Sequence, residues 1–279
     1  MDLDISSYLS KATETYKSPS QIARKVTESW ARDNLYCPRC GLHLHPYKDN
    51  TEVYDFYCSH RSKRLLLLSY DKDDFQLKSM KSFPRNRFPN RIIGAEYYTT
   101  IRSLELGAFP SLILLHYSLR EKEVKDGLFI HRLSFNRNNI VRRKALSQLA
   151  IRNNWVGSEI ILDAVPDLGK IPMISDSEIL PKEDVMYRWA AVESILKGDL
   201  ERRSWIGDML LVIDRLPSTF SLEDAYSFQH FFERNHPGNR HIKEKIRQQL
   251  QILRDRGYLR FVGRGIYQKD TALSPQVLP

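Results

Sequence analysis

Cysteine is scarce in this chain: three in 279 residues, an odd number, with two of them at C-x2-C spacing. That count argues against a disulfide framework and for reduced thiols that hold a metal. No N-terminal apolar run resembles a signal peptide, and nothing approaches the roughly eighteen consecutive apolar residues of a membrane helix. The expectation is therefore a soluble, intracellular protein of cytoplasmic type with no membrane partner. Internal repeats and long low-complexity segments are also absent. Acidic charge is in deficit, 34 Asp and Glu against 43 Lys and Arg, which leaves a net +9 and makes an anionic partner the leading expectation. The length suffices for a sizeable core and two domains.

The stretch Cys37 to Lys78 carries the densest chemistry. Cys37-Pro-Arg-Cys40 is followed by Asp55-Phe56-Tyr57-Cys58, which sets seventeen residues between Cys40 and Cys58, and the stretch closes with Phe75-Gln76-Leu77-Lys78. Three thiols in that spacing suit one face of a tetrahedral zinc site. The position where a fourth cysteine is expected, 61, is Arg, so His60 is the nearest substitute ligand, with His43 or His45 behind it. An acid on one strand, followed on the next by an acid or amide and a Lys two residues apart, is the arrangement by which hydrolytic nucleases hold Mg²⁺ against a phosphate. Strand alternation puts Asp74, Gln76 and Lys78 on one face.

Ser18 to Trp30 reads as an amphipathic helix with Ile22, Ala23, Val26 and Trp30 at helical spacing. Glu28 falls near that stripe, and two readings stay open for it: a carboxylate aimed at the neighbouring site, or a solvated helix residue. Strands are expected around Glu52–Tyr57 and Phe75–Lys78, with an extra strand turn or hairpin at Leu65–Leu68 between them. Ser82–Arg91 reads as a basic loop and Ile92–Leu106 as a helix. Ser111–Tyr117 and Gly127–Leu133 read as strands, the second followed by a basic helix carrying Arg142, Arg143 and Lys144. Ile160–Leu162 and Ile171–Ile174 complete a mixed sheet flanked by helices. Trp155, between Asn153-Asn154 and Gly157, reads as a core anchor or as an aromatic platform for a base.

Lys182–Leu196 is a connecting helix that Gly198 ends. Beyond it Trp205–Leu216 is helical, Ser221 caps another helix, and His236-Pro-Gly breaks that one. His241–Asp255 has the cleanest periodicity: Ile242, Ile246, Leu250 and Leu253 form one stripe. Tyr258–Tyr267 is a hairpin turning at Gly263–Gly265. Three helices and a hairpin make a winged helix, whose third helix enters the major groove. Between His236 and Lys269 lie nine Lys or Arg and two Asp or Glu, a net +7 of the whole chain's +9. Charge so localised points to nucleic acid.

These residues together resemble the DpnI-like methyl-directed Type II restriction endonucleases. The likeness is carried by His241-Ile-Lys-Glu-Lys-Ile-Arg-Gln-Gln-Leu-Gln-Ile-Leu-Arg-Asp255 with Gly257, Phe261, Gly263, Gly265 and Tyr267. It is carried also by Tyr16 to Trp30, by Tyr36-Cys-Pro with Cys40-Gly41, by Asp55 to Cys58, and by Phe75 with Leu77-Lys-Ser79. The middle of the chain is less similar, and Trp155 and Gly157 are its best landmarks. The resemblance implies an α/β (α+β) PD-(D/E)xK nuclease domain over 1–182, with a zinc-binding insert near 37–61. A connecting helix over 183–199, a winged helix over 200–270 and a loose tail over 271–279 would follow. It implies Mg²⁺-dependent hydrolysis of double-stranded DNA at G-A-T-C carrying N6-methyladenine, by a monomer that also holds structural zinc.

Carried over residue by residue, Asp55 and Gln76 would bind Mg²⁺, and Lys78 would position or activate water. Cys37, Cys40, Cys58 and His60 would hold zinc, and Trp155 would form an apolar wall against the methyl group. Arg240, His241, Lys243 and Glu244 occupy the deepest turn of the reading helix, with Arg247, Gln248 and Gln251 beyond and Arg264 in the wing. Arg suits guanine and Gln suits adenine. Gln76 departs from the family glutamate and removes a charge that Asp74 or Glu28 could restore. An inactive, methylation-sensing DNA-binding regulator, or a nuclease with a changed target, are the alternatives.

Overall fold

A computed structural model describes residues 1–48, 54–61, 70–81, 90–146 and 155–270, and for 59–61, 70–72 and 81 the backbone alone. In chain order the elements are α1 (Ser6–Thr15), α2 (Pro19–Asn34), β1 (His45–Pro46), β2 (Phe56–Arg61), β3 (Tyr70–Lys81), β4 (Arg91–Glu96) and α3 (Tyr97–Glu105). There follow β5 (Ser111–Ser118), β6 (Glu123–Ile130), β7 (Ile140–Arg142), β8 (Gly157–Ile161), β9 (Lys170–Ser175), β10 (Glu178–Ile179) and α4 (Lys182–Ile195). The chain closes with α5 (Leu200–Arg215), β11 (Thr219–Ser221), α6 (Leu222–Tyr226), α7 (Gln229–Asn235), α8 (Ile242–Asp255), β12 (Leu259–Gly263) and β13 (Ile266–Lys269). Contacts divide it into two compact units: Met1–Pro89 with Phe109–Arg132 and Ile171–Trp189, and Asn90–Ala108 with Leu133–Lys170 and Ala190–Pro279.

The first unit is built on a mixed sheet in the order β1-β2-β3-β5-β6-β9-β10. β5 is apolar without alternation, and its residues 111–117 are all buried, as a strand covered on both faces requires. It pairs parallel with β3 and antiparallel with β6. Parallel pairing needs a long crossover, which the segment between Lys81 and Ser111 supplies. Phe75, Phe129 and Trp189 meet edge-on or tilted at 6.0–6.2 Å between ring centroids, and His131 lies 4.2 Å from Trp189. α2 buries Val26, Trp30 and Ala31, and the Trp30 indole donates to the Asp2 carbonyl at 2.6 Å.

The second unit holds the sheet β4-β8-β7 with α3, and the C-terminal helices with the sheet β11-β13-β12. Ser221 and Asp224 form a reciprocal capping box at the start of α6. On α8, Ile246, Leu250 and Leu253 are wholly buried and Ile242 nearly so, the stripe read from the sequence. Trp205 stacks on His236 at 3.6 Å, and His236 bonds the buried Asp208 carboxylate at 2.8 Å. The hairpin turn is left-handed at Gly265, φ +72, a conformation that costs glycine nothing.

The architecture is a mixed sheet flanked by helices, with a C-terminal helix-turn-helix unit. Of two helices expected from the sequence, one begins as a strand and the other is a strand at Arg142. Ile92–Leu106 begins as β4, which pairs antiparallel with β8 through Ile92 and Ile160, before α3 starts at Tyr97. Arg142 closes β7, which pairs with the other edge of β8, and Arg143 to Leu146 have no regular structure. Leu65–Leu68, residues 82–89 of the basic loop, and the tail from 271 lie outside the described residues. No described helix is long and apolar enough to cross a membrane.

Candidate active site and thiol cluster

α2 is fixed against β3 at one polar point. Thr27, itself 3 % exposed, bonds Ser79 Oγ through its hydroxyl at 3.0 Å. Glu28 follows Thr27 on α2, while on β3 alternation turns the neighbouring Lys78 side chain to the face opposite Ser79.

Asp55 is held on three sides. Its amide donates to the Phe75 carbonyl at 2.9 Å, and its carbonyl accepts from Tyr47 N–H at 3.0 Å. Its Oδ2 accepts from Leu77 N–H at 2.7 Å. The β2–β3 register pairs Phe56 with Phe75, so one step further sets Asp55 opposite Gln76. Burial raises the Asp55 pKa, and Glu28 adds to the rise. The Leu77 N–H, Lys78 and Arg24 oppose it. Burial lowers the Lys78 pKa, and Asp55 opposes that. Each charge is thus within reach of the other, which places Asp55, Gln76 and Lys78 together at the β2–β3 junction. Asp74 accepts from the Tyr47 hydroxyl at 2.6 Å.

A cleft of about 160 Å³ opens over Asp55. Its walls are Tyr47, Tyr54 and Phe56 together with Arg24, Lys25, Arg32 and Lys48, and its two carboxylates are Glu28 and Asp55. Gln76 and Lys78 are half-buried on β3 and are not among those walls. Oxygen donors from two acids and an amide beside a lysine are the hard ligands that Mg²⁺ takes. The four cations suit a phosphate chain. The sequence reading did not anticipate Tyr47 or this cationic lining, because the lining comes from one helix face and from the segment before β2.

The three cysteines converge. All three sulfurs lie within 4.8 Å of one another, and Cys40 and Cys58 are 3.5 Å apart. A tetrahedral zinc with bonds near 2.3 Å needs sulfurs about 3.8 Å apart, so the trio fits. A turn shapes it: Cys37 N–H donates to the Leu42 carbonyl at 2.7 Å and Gly41 N–H to the Cys37 carbonyl at 2.8 Å. Gly41 sits at φ +74, where a Cβ would also press on Lys182 Cε at 2.7 Å. Burial pushes the Cys58 thiol up to about 11 and raises Cys37 as well. Such thiols stay protonated unless a cation claims them. Asp73 pairs with Cys58 across the strands and is ion-paired to Arg39 at 3.1 Å. His43 and His45 are exposed and do not join the sulfurs. His60 is in β2, but its side chain lies outside the described residues.

On α8 the side chains of Lys243, Glu244, Arg247, Gln248 and Gln251 are exposed opposite the apolar stripe, as are Arg240 and His241 before it and Arg264 in the hairpin turn. Phe261 and Val262 of the wing are about half exposed, at 52 % and 53 %. Lys243 lies 5.4 Å from the Tyr226 ring centre. Trp155 falls in the second unit, just before β8, and is half-buried. Its ring covers Gly157 so closely that a Cβ there would meet it at 2.7 Å, and its carbonyl accepts from Leu146 N–H. Arg143 approaches the same glycine.

A family model described as DpnI, the Dam-replacing family, matches residues 1–198. A second, described as the Dam-replacing HTH domain, matches residues 201–269.

Proposed function

Because the chain belongs to the Dam-replacing family and ends in that family's HTH domain, we propose that it is a restriction endonuclease of the methyl-dependent type. On this reading it hydrolyses double-stranded DNA at G-A-T-C containing N6-methyladenine, as a monomer and with Mg²⁺. The observation that carries the reading is the junction of Asp55, Gln76 and Lys78 beside a cation-lined cleft. Bound there, Mg²⁺ supplies a polarised phosphate and water of lowered pKa.

The chain's own residues do the rest. Asp55 and Gln76 supply oxygens to the ion, and the Leu77 amide fixes the Asp55 carboxylate in place. Lys78, whose desolvation favours the neutral amine, orients the attacking water and can take its proton. The new bond from water to phosphorus forms as the bond to the leaving sugar oxygen breaks. Lys48, Arg24, Lys25 and Arg32 hold flanking phosphates in register, which positions without reading sequence. At the start of α8 and along it, Arg240, His241, Lys243, Glu244, Arg247, Gln248 and Gln251 face base edges, with Arg264 following the backbone from the wing. Trp155 serves as the apolar wall for the methyl group. Cys37, Cys40 and Cys58 hold a structural zinc, with His60 as the fourth ligand. The nuclease domain spans 1–182 and the reading domain 200–270.

The neutral Gln76 favours a second reading, an inactive methylation-sensing regulator. Incubation with Mg²⁺ and plasmid from adenine-methylating and non-methylating hosts separates the readings. Cutting of the methylated plasmid alone is expected; cutting of neither favours the regulator, and cutting of both means a changed target.

A further inference from the structure

The sheet face that carries the candidate active site also carries a cluster of aromatic rings to which the proposed reaction gives no task. Register sets His45 opposite Tyr57 and Tyr57 opposite Asp74. Alternation then puts Tyr47, two residues after His45, on that face with Asp55, Gln76 and Lys78. The bond from the Tyr47 hydroxyl to Asp74 at 2.6 Å agrees with this placement. We infer that Tyr47 and Tyr54 form a stacking site for one unpaired nucleobase of the DNA strand that passes Asp55. The inference rests on the nuclease reading above and adds a ligand class to its cleft.

The arrangement of the rings carries it. Tyr47 lies 4.9 Å from Tyr57 and 5.9 Å from Tyr54 between ring centroids, at interplanar angles of 54° and 31°. With its hydroxyl held by Asp74, the Tyr47 ring is fixed between these two neighbours. Tyr47 and Tyr54 are both half-buried, and both are walls of the cleft over Asp55. Rings that only filled a core would be covered as Phe75 and Phe129 are, each at 0 % exposure. A stacked base needs about 3.4 Å on either side, the rise of one base along a strand. The gap between Tyr47 and Tyr54 is too narrow for that, so the base caps the pair and does not enter between the rings.

The other walls suit the rest of a nucleotide. Arg24, Lys25, Arg32 and Lys48 outnumber the two carboxylates of the cleft, and cations of this kind hold backbone phosphates without reading sequence. Aromatic stacking is equally tolerant, since every base offers a π-face. Turning a base out of an intact pair costs its pairing and stacking, and that cost is least for a mismatched base. The site therefore favours DNA already open beside the cut over a fully paired duplex.

The test uses the full chain and adenine-methylated G-A-T-C duplexes carrying 5-iododeoxyuridine at the target thymine or, opposite a mismatched thymine, at each flanking position in turn. Irradiation is expected to cross-link one of these positions to Tyr47 or Tyr54, identified by mass spectrometry. By fluorescence anisotropy without divalent ions, the wild type should bind the duplex mismatched at that position roughly tenfold more tightly than the paired one. Tyr54→Ala should remove that preference and Tyr54→Trp should keep it, which guards against a folding defect. Tyr98→Ala, an exposed tyrosine outside this cleft, should leave it as it is. Absence of any cross-link to the two tyrosines, equal affinity of the wild type for mismatched and paired duplexes, or a preference that survives Tyr54→Ala would overturn the stacking site and leave the nuclease reading in place. A wild type that shows the cross-link and the preference yet cuts no plasmid with Mg²⁺ would overturn the nuclease reading alone.

Discussion

Asp214, near the end of α5, offers a quantitative test of the C-terminal unit. Burial pushes its pKa up to about 6 from 3.8, Asp167 adds to the rise, and Lys170 and Lys269 oppose it. Its Oδ2 accepts from Asp167 N–H at 2.9 Å. The native state therefore binds this proton more tightly than the unfolded chain does. The stability the proton confers is complete below about pH 4 and is lost as pH rises through 6. A shift of about two units corresponds to about 3 kcal/mol, and residual solvent access and the nearby lysines reduce it to about 2. Asn at this position keeps an acceptor for the Asp167 amide and removes the charge. Asp214→Asn should thus stabilise the unit by about 2 kcal/mol at pH 7.5, with no gain at pH 4. The assay is the urea midpoint of α5 and β13 peptides, read by hydrogen-exchange mass spectrometry at both pH values. Equal or lower stability of the variant at pH 7.5, with an unchanged dependence on pH, would refute the reasoning.

Further expectations bear on the DNA and metal sites. Trp155→Ala should reduce discrimination between methylated and plain duplexes more than it reduces stability; equal loss on both substrates with a collapsed melting temperature would return Trp155 to a packing role. Metal analysis of purified protein should find one zinc per chain, and Cys58→Ser should abolish it and lower the melting temperature; a zinc content well below one in the wild type would count against the site. Binding of duplex DNA should fall steeply with salt, and Arg247→Ala should lower the salt slope by about one if it meets a phosphate, or relax sequence preference if it meets a guanine. An unchanged slope together with unchanged preference would remove Arg247 from the interface.

How much of this was legible in the sequence depends on where each signal resides. α8 could be read because Ile242, Ile246, Leu250 and Leu253 repeat with the helical period, and its charges lie on the solvent side whatever else the chain does. The acid and lysine of the candidate site were legible as a pattern, because alternation alone puts Gln76 and Lys78 on one face. β4 was not legible, since Ile92 and Ile93 are as compatible with a helix as with a strand. What decides for the strand is pairing with Ile160 and Glu159, almost seventy residues away, and the contact of Gly94 with Ser158, where a Cβ would meet Oγ at 2.3 Å. β7 was hidden for the same reason. Arg142 and Arg143 resemble a basic helix face until Val141 pairs with Glu159 and Arg143 approaches its carboxylate at 3.7 Å. The seating of α2 on β3 needed the Thr27–Ser79 contact, which joins residues fifty-two apart and leaves no local trace.

The most direct test of the central claim is single-turnover cleavage of an adenine-methylated duplex with Mg²⁺ by the wild type, Asp55→Asn and Lys78→Ala, with duplex affinity measured in parallel. The account predicts that each substitution lowers the rate by roughly 10²–10⁴-fold while binding stays within a few-fold. Variants that cut at the wild-type rate would contradict it.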